Sequence, residues 1–362
     1  MTPEWPRAWG PHPGAASIRC SPEDFFVQEQ LGFELSGAGE HVFLYLQKRE
    51  LNSLDLLERL SKLSKVAQRD IGYCGLKDRN AVTQQWYSIG LAGQPEPQWK
   101  ELEEEGDVQV LQVARHTRKL RRGVHKANRF KLQLRNLSGD LEALEARLEQ
   151  VREHGVPNYF GGQRFGRNGS TLTQARRWML DEQGAQEKSS RKRSRKITRS
   201  KRGLYFSALR SFLFNELLAA RVENGDWNKV GQGDVAFLNG TRSFFSCEDV
   251  DAQLETRAAS GDIHPGLPLW GRGDSPAGPE RVAQQTKILS SCRDICDFLE
   301  ASDLELGWRP TRLLPDDFCW RFCDDDTLQL EFSLGAGSYA TALLGELVLF
   351  EEGIVNGGSS SE

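Results

Sequence analysis

The sequence lacks any long run of apolar residues. No stretch approaches the roughly 18 residues that a membrane-spanning helix requires, and the first residues, Met1 to Pro13, contain Pro and Trp but no hydrophobic core of a secretory signal. We therefore expect a cytoplasmic protein with no membrane segment. With 362 residues, of which 38% are hydrophobic and 27% charged, the chain is long enough for two globular domains that each bury a core.

An excess of positive charge is also absent, because the 47 Lys and Arg residues are outnumbered by 51 Asp and Glu residues. Overall charge therefore gives no sign of nucleic-acid binding, for which the clustering of cations matters more. Two segments do concentrate cations without any acidic residue, 115–131 and 188–202. We expect both to contact an RNA backbone, whose phosphates would supply the missing counter-charge. The alternatives are a solvated basic loop for the first segment and a nuclear address for the second.

Dense like charges repel one another, so segment 188–202 is expected to be extended or disordered when no RNA is bound. The individual cations that we expect to contact RNA phosphates in the two segments are Arg118, Lys119, Arg121, Arg122, Lys126, Arg191, Lys192, Arg193, Arg195 and Lys196.

The seven cysteines do not form the even, closely spaced set of a small secreted protein, which predicts reduced thiols. Two pairs, Cys292/Cys296 and Cys319/Cys323, have four-residue spacing and would each share a face of a helix. A four-thiolate zinc site is one interpretation and buried free thiols are the other. The spacing is loose for structural zinc and no Gly-rich knuckle accompanies it, so we expect free thiols and no metal.

The richest motif in the chain is the segment 75–86, Gly-Leu-Lys-Asp-Arg-Asn-Ala-Val-Thr-Gln-Gln-Trp. It places the carboxylate of Asp78 between the cations Lys77 and Arg79, on a loop between two short apolar runs. Neighbouring cations keep a carboxylate ionised, which suits a nucleophile or an electrostatic stabiliser better than a proton donor. From these residues alone, a surface ion cluster on a turn is the favoured interpretation, because charge clusters mark sites only some of the time.

Residues 75–83 closely resemble the signature of the TruD family of tRNA pseudouridine synthases. Further segments resemble the family in the expected order, so the resemblance covers nearly the whole chain. These segments are 23–25 (Glu-Asp-Phe), the basic run ending in Ala127-Asn128-Arg129-Phe130, the Gly- and aromatic-rich stretch 156–166, the run 207–215, and 335–341 (Gly-Ala-Gly-Ser-Tyr-Ala-Thr).

The resemblance assigns roles to particular residues. It implies that Asp78 is the catalytic nucleophile. We also expect Lys77 and Arg79 to contact the RNA backbone. It further implies that Asn128 lines the active site, where its amide could pair with a base edge or position the motif loop. Arg19 fills the place of an upstream basic residue and could keep Asp78 ionised or contact a phosphate. The aromatic residues that would hold the uracil ring are Phe25, Phe130 and Tyr339.

One position departs from the family pattern. Ala127 stands where glycine is usual, which raises the question of whether the backbone there needs a positive φ. A second candidate motif, 271–274 (Gly-Arg-Gly-Asp), lacks the lysine and the following helix of a phosphate loop, so we reject it as one.

The fold implied by the resemblance is α+β, with a mixed or antiparallel-sheet pseudouridine synthase catalytic domain that is discontinuous in sequence. Residues 1–154 and 309–362 would form it, around an inserted α/β TRUD domain at 155–308. Apolar spacing predicts a helix after Asn52 or Ser53 that buries Leu54, Leu57, Leu60 and Leu63. It also predicts strands at 21–29, 42–48, 130–136 and 328–334 and helices at 140–154, 170–181 and 204–222, with a loop at 264–268.

The family acts on uridine 13 in the D arm of tRNA, so the resemblance implies a tRNA pseudouridine synthase that uses tRNA as its substrate partner and needs no cofactor. We expect a monomer. Asp78 could act as a nucleophile at C1′ or as a base at C2′, and the sequence does not choose. The competing classes are a non-catalytic RNA-binding protein and an enzyme that hydrolyses glycosidic bonds. The latter usually needs a pair of carboxylates, and no second acid adjoins the motif.

Overall fold

The structure is a computed structural model and describes residues 4–91, 93–187 and 197–353. Within these ranges the chain forms sixteen strands: β1 (Gly14–Ile18), β2 (Phe25–Leu31), β3 (His41–Arg49), β4 (Ile71–Tyr73), β5 (Val82–Gly90), β6 (Val108–His116), β7 (His125–Gly139), β8 (Val156–Pro157), β9 (Val235–Leu238), β10 (Phe244–Ser246), β11 (Ile263–Leu269), β12 (Gly307–Pro310), β13 (Arg312–Leu313), β14 (Asp316–Asp324), β15 (Thr327–Gly335) and β16 (Leu349–Glu352).

The α-helices of the same described ranges are α1 (Ser53–Ser64), α2 (Leu141–His154), α3 (Ser170–Glu187), α4 (Arg199–Glu223), α5 (Ala252–Ala259), α6 (Pro279–Ile288), α7 (Arg293–Ala301) and α8 (Ala340–Leu347). Short 3-10 helices cover Pro22–Asp24, Gln68–Asp70, Trp99–Glu103, Gly162–Phe165, Arg167–Gly169 and Leu289–Cys292. Among the helices described here, none is both long enough and apolar enough to cross a membrane.

The chain divides into two compact units, each built from separate segments. Unit 1 comprises Met1–Pro11, Arg147–Leu314 and Thr341–Glu346. Unit 2 comprises His12–Ala146, Pro315–Ala340 and Leu347–Glu362.

Unit 2 is built on one mixed sheet. Its main order is β14-β15-β7-β2-β5-β3-β6, with β1 joined to β7 and β16, and β4 joined to β5. Most neighbours are antiparallel, whereas β2 with β5 and β1 with β16 run parallel. The long strand β7 pairs with β2 on one side and β15 on the other, which places residues from both ends of the chain side by side. The α+β fold class with a mixed sheet is confirmed.

Helix α1 packs its apolar side against this sheet. Asn52 caps it as predicted, because its side chain accepts a hydrogen bond from the backbone N–H of Leu54 at 3.1 Å. Leu57 and Leu60 are buried as expected, but the prediction was wrong for Leu54, which is 52% exposed. Leu56 takes the buried position instead. The buried face of the helix is therefore rotated by about one residue relative to the face that the leucine spacing predicted.

Unit 1 contains the helices α3 to α7 and two small sheets, one with the order β10-β9-β11-β12 and one that pairs β8 with β13. The prediction of a loop at 264–268 was wrong, because these residues belong to the interior strand β11. Proline lacks an N–H group but keeps its carbonyl, and the Pro265 oxygen accepts a hydrogen bond from the backbone N–H of Thr311 at 2.8 Å.

The helix predicted at 204–222 begins earlier, at Arg199, so the last residues of the basic run 188–202 are helical rather than extended or disordered. Thr198 caps the helix by accepting from the backbone N–H of Lys201. Arg202 also lies over the Phe206 ring at 5.2 Å, an i,i+4 contact that favours the helix. The other cations predicted to contact RNA here lie outside the described residues: Arg191, Lys192, Arg193, Arg195 and Lys196.

Candidate active site

Asp78 lies on the loop between β4 and β5 of unit 2, and its side chain is 39% exposed. The guanidinium of Arg19 donates to its Oδ2 at 2.8 Å and, through the other terminal nitrogen, to Glu352 Oε1 at 2.6 Å. Arg19 is itself 5% exposed. A buried guanidinium therefore holds one face of the Asp78 carboxylate, and the other face is open. The predicted contact between Arg19 and Asp78 is present.

The backbone at Arg19 adopts a left-handed conformation, with φ of 57°. Side chains other than those of Gly, Asn and Asp seldom occupy this region, and the cost is about 1–3 kcal/mol where surrounding structure enforces it. Such strain is common at functional sites. Here it turns the Arg19 side chain from the end of β1 toward Asp78.

A second buried cation fixes the backbone of the same loop. The ammonium of Lys48, a residue that is 1% exposed, donates to the carbonyl oxygens of Asp78 and Leu51, each at 2.7 Å. Burial lowers the pKa of Lys48 to about 8, although the nearby Asp78 opposes that shift. The loop is thus held through its main chain by Lys48 and through its side chain by Arg19.

Lys77 does not face solvent. Its side chain is 8% exposed, and its ammonium lies 2.9 Å from the carboxylate of Glu29, a side chain with no exposed surface. It also donates to Asn128 Oδ1 at 2.8 Å, and the Asn128 amide nitrogen lies 3.2 Å from His125 Nε2. In this conformation Lys77 is an internal ion-pair partner, which corrects the expectation that it is an RNA-backbone cation. The predicted site residue Asn128 is brought to the motif loop by Lys77.

Two of the predicted aromatic residues of unit 2, Phe25 and Phe130, form a group with Phe332. The Phe25 ring meets the Phe130 ring edge-on, with 6.3 Å between centroids, and Phe130 stacks on Phe332 at 5.2 Å. The guanidinium of Arg19 lies 4.2 Å above the Phe25 ring. Phe25 and Phe130 are both buried, and Tyr339 is half-buried one residue before α8. Phe25 therefore lies directly beneath the cation that binds Asp78.

The first basic segment forms the connection between β6 and β7 and the start of β7. Arg118, Arg121 and Lys126 are exposed there. Lys119 is half-buried and donates to the Arg69 carbonyl at 2.8 Å, whereas exposed Arg122 donates to the Tyr73 hydroxyl at 2.6 Å. Arg79, in the motif loop, is also exposed. These surface cations other than Lys119 are accessible to a polyanion.

Ala127 lies in the extended strand β7, paired with Gln30 on one side and Gly335 on the other. It is not among the residues with positive φ. Glycine is therefore not required at this position by backbone conformation, and the departure from the family pattern leaves the position of Asn128 intact.

The two cysteine pairs lie in different units. Cys292 and Cys296 are buried, as expected of free thiols, but Cys319 and Cys323 are exposed on the strand β14, which corrects the expectation for that pair. In the part of the chain that the structure describes, the one group of three possible metal ligands is Glu29, Cys74 and His125. The Lys77 ammonium already balances the Glu29 charge there, and burial raises the pKa of the Cys74 thiol to about 12, so the group does not suit a cation.

Sequence reasoning missed Lys48 and Glu29, although both carried a signal. Side chains alternate across a strand, so Lys48 shares the buried face of β3 with Val42, Leu44 and Leu46. Glu29 likewise follows Phe25 and Val27 on the buried face of β2. A charged residue at a position that lies on the buried face of a strand indicates a partner inside the protein.

Comparison with known proteins identifies the family of this chain. The family profile of tRNA pseudouridine synthase D (TruD) matches residues 10–173 and 170–347. The chain belongs to the TruD family. It is 44% identical over 346 residues to a tRNA pseudouridine synthase D from Methylococcus capsulatus, covering 96% of this chain and 94% of the relative. A tRNA pseudouridine synthase D from Nitrosococcus oceani is 43% identical over 350 residues, covering 96% and 95%.

The fold of this TruD chain also has a counterpart among solved structures. The crystal structure of a Methanosarcina mazei protein assigned as tRNA pseudouridine synthase D matches with a TM-score of 0.65 and 20% identity, covering 95% of both chains. At that identity the similarity supports the fold alone. Membership of the family rests on the sequence matches.

Proposed function

We propose that this protein isomerises uridine 13 in the D arm of tRNA to pseudouridine, with Asp78 as the catalytic nucleophile and without a cofactor. The observation that carries the proposal is the position of Asp78, whose half-open carboxylate is held by Arg19 and whose main chain is held by Lys48. Its neighbours in sequence, Lys77 and Arg79, do not form an ion pair with the Asp78 carboxylate. The relatives named above as tRNA pseudouridine synthases support tRNA as the substrate.

The reaction breaks the bond from C1′ to N1 of uracil and forms one from C1′ to C5. The C5 proton is lost and N1 gains a proton, so the reaction is redox-neutral and its product is an isomer. A carboxylate next to the ribose can attack C1′ or remove the C2′ proton, and we propose attack at C1′ as the role of Asp78. In either route Arg19 restricts the carboxylate to one orientation, which lowers the entropic cost of reaching the transition state.

The detached uracil must be kept in place and turned before the new bond forms. The aromatic group formed by Phe25, Phe130 and Phe332 supports a base-binding role, with Tyr339 as a further candidate, because aromatic rings stack on nucleobases with little dependence on sequence. Asn128, held by Lys77, offers an amide to the base edge. The uridine has to leave its helical stack to reach Asp78, since a stacked base is inaccessible to a side chain at C1′.

We further propose that unit 2 is the catalytic domain and unit 1 the inserted TRUD domain, in a protein that acts as a monomer in the cytoplasm. The exposed cations Arg79, Arg118, Arg121, Arg122 and Lys126 of unit 2 would contact tRNA phosphates. Phosphate contacts position an RNA without reading its sequence, so the choice of uridine 13 would depend on tRNA shape.

Product analysis tests the reaction. Purified protein is incubated with unmodified tRNA transcript, and the RNA is digested to nucleosides and mapped. Pseudouridine at position 13 supports the proposal, and a transcript with cytidine at position 13 should give no product. Unchanged RNA despite binding would favour an RNA-binding protein without catalysis, and an abasic site would favour glycosidic hydrolysis. Pseudouridine at another position would refute the assignment of uridine 13 alone.

A further inference from the structure

A cavity of about 350 Å³ lies in unit 1, between the strand β11, the loop that follows it and the helices α6 and α7. Its walls include the loop 271–274, which the sequence excluded as a phosphate loop, and the apolar side chains Pro268, Val282 and Leu306. The volume lies in the range of small-ligand sites, about 300–1,000 Å³. None of the Asp78-loop residues lines it.

The wall contributed by α6 presents the amide of Gln285. Gln285 is 8% exposed, and its side chain makes no hydrogen bond to any described residue. The amide atoms are not fully enclosed, so water can satisfy them and a ligand that enters the cavity can replace that water. The neighbouring hydroxyl of Thr286 is already used, because it donates to the Val282 carbonyl at 2.9 Å. Gln285 therefore offers both a donor and an acceptor to whatever enters the cavity.

An aromatic ring and two cations border the same space. The Trp270 indole is fixed by a hydrogen bond from Nε1 to Glu300 Oε1 at 2.8 Å, which leaves its ring face as a wall. Arg293 pairs with Asp297 at 2.8 Å and Arg272 with Asp303 at 3.8 Å. Both ion pairs are exposed and therefore weak, so either guanidinium can exchange its carboxylate for a phosphate at little cost.

We propose that this cavity binds one unstacked nucleotide of the RNA substrate, distinct from the isomerised uridine. The base would lie against Trp270 and pair its edge with the amide of Gln285, while Arg272 or Arg293 binds the phosphate. This combination matches how single-stranded RNA is recognised, by aromatic stacking, edge hydrogen bonds and phosphate contacts. The identification of the ligand as RNA rests on the proposed function. A free nucleotide would satisfy the same groups, and the experiments below separate the two sources.

The first test is the substitution Gln285→Leu, which removes the amide at similar volume, with Gln284→Leu as the matched control. Gln284 is the exposed neighbour on the same helix. We expect Gln285→Leu to raise KM for tRNA about tenfold and to leave kcat within about twofold, because the site contributes to binding rather than to chemistry. The control should match the native protein. An unchanged KM in Gln285→Leu would overturn the proposal.

The second test has a different readout, the position of the nucleotide that cross-links to the cavity wall. Leu306, which lines the cavity, is replaced by the photoreactive residue p-benzoylphenylalanine in the full chain, and the cross-linked tRNA nucleotide is mapped. We expect one main position other than uridine 13, unaffected by 1 mM AMP, CMP, GMP or UMP. Displacement of the tRNA cross-link by any of these mononucleotides at or below 1 mM would show that the occupant is a free nucleotide and overturn the RNA assignment. Cross-links scattered over the tRNA would refute a defined site.

The two proposals fail separately in this design. If the native protein forms pseudouridine but Leu306 cross-links to no single nucleotide, the cavity proposal is wrong and the proposed function stands. If no pseudouridine forms but one nucleotide is cross-linked, the catalytic proposal is wrong and the cavity is supported as an RNA site.

Discussion

The ammonium of Lys48 lies 2.7 Å from the backbone carbonyl oxygen of Asp78. This contact joins a buried strand, β3, to the loop that carries the proposed nucleophile. Because the ammonium also binds the Leu51 carbonyl, it fixes the loop against the start of α1. Protonation of Lys48 is therefore coupled to the position of Asp78.

We predict that kcat falls as the pH rises through about 8, the pKa of Lys48, because the neutral amine loses its charge and one of its donors. Lys48→Met should lower kcat about tenfold at pH 7 and abolish this fall. A loss of folding stability caused by the titration of Lys48 cannot explain this fall in kcat. The unfolded lysine has a pKa of 10.5, so between 8 and 10.5 the unfolded state binds more protons and this group makes stability rise with pH.

The measurement is kcat for tRNA between pH 6.5 and 10, with Lys62→Met as control because Lys62 is 75% exposed. A flat native profile above pH 8, or full activity in Lys48→Met, would contradict the coupling.

Replacing Arg19 by lysine should lower kcat about tenfold while KM for tRNA changes by less than about twofold. A lysine ammonium keeps the charge but lacks the fork that binds Asp78 and Glu352 from different nitrogens. The control is Arg49→Lys, since exposed Arg49 pairs with Glu23 at 2.7 Å away from the motif loop. A native kcat in Arg19→Lys would show that a positive charge at this position suffices for catalysis, and it would contradict the role of the guanidinium fork.

Arg121→Gln should weaken tRNA binding mainly by removing one phosphate contact. The plot of log Kd against log salt concentration should lose about 0.7–0.9 of slope, the value expected for one released counterion. The catalytic constant should not change, because Arg121 lies outside the motif loop. Filter binding from 50 to 300 mM salt measures the slope, and Lys62→Gln should retain the native value. An unchanged slope in Arg121→Gln would exclude that contact.

Unit 1 should lose stability in acid through His264. Burial lowers the pKa of this imidazole, which lies 3.0 Å from Asn239 Oδ1, to about 4 from the usual 6.5. A depressed folded pKa gives stability that is present above pH 6.5 and is lost as the pH falls through 4. The full effect is about 3 kcal/mol. His264→Gln cannot titrate, so its urea midpoint should drop less between pH 7 and 4 than that of the native protein.

His154→Gln is the control for this prediction, because the His154 side chain is 47% exposed. It should follow the native protein at each pH. If the urea midpoints of the native protein and His264→Gln fall equally between pH 7 and 4, groups other than His264 cause the loss of stability.

Much of the fold follows from local patterns in the sequence. The alternation of apolar side chains predicted the strands that contain Phe25 and Phe130, and Asn52 predicted the start of α1. The loop prediction at 264–268 failed because two prolines usually exclude an interior strand, whereas here their carbonyls still take part in pairing. That compensation depends on neighbouring strands, which local sequence does not specify.

The site could be predicted in part. The motif and the resemblance identified Asp78, Arg19 and Asn128, and in the structure Arg19 donates to Asp78 whereas Asn128 accepts from the neighbouring Lys77. The direction of Lys77 could not be predicted, because it depends on Glu29, which lies 48 residues earlier in the chain. Adjacency in sequence suggested that Lys77 would stabilise Asp78. In the folded chain, that task falls to Arg19.

Asp78→Asn provides the most direct test of the central claim. The amide is nearly isosteric with the carboxylate but cannot act as a nucleophile or base at the ribose. We predict that pseudouridine at position 13 disappears in Asp78→Asn while Kd for tRNA stays within about threefold, and that Asp70→Asn, at an exposed aspartate of the same unit, remains fully active. Pseudouridine formation by Asp78→Asn at the native rate would contradict the assignment of Asp78 as the nucleophile.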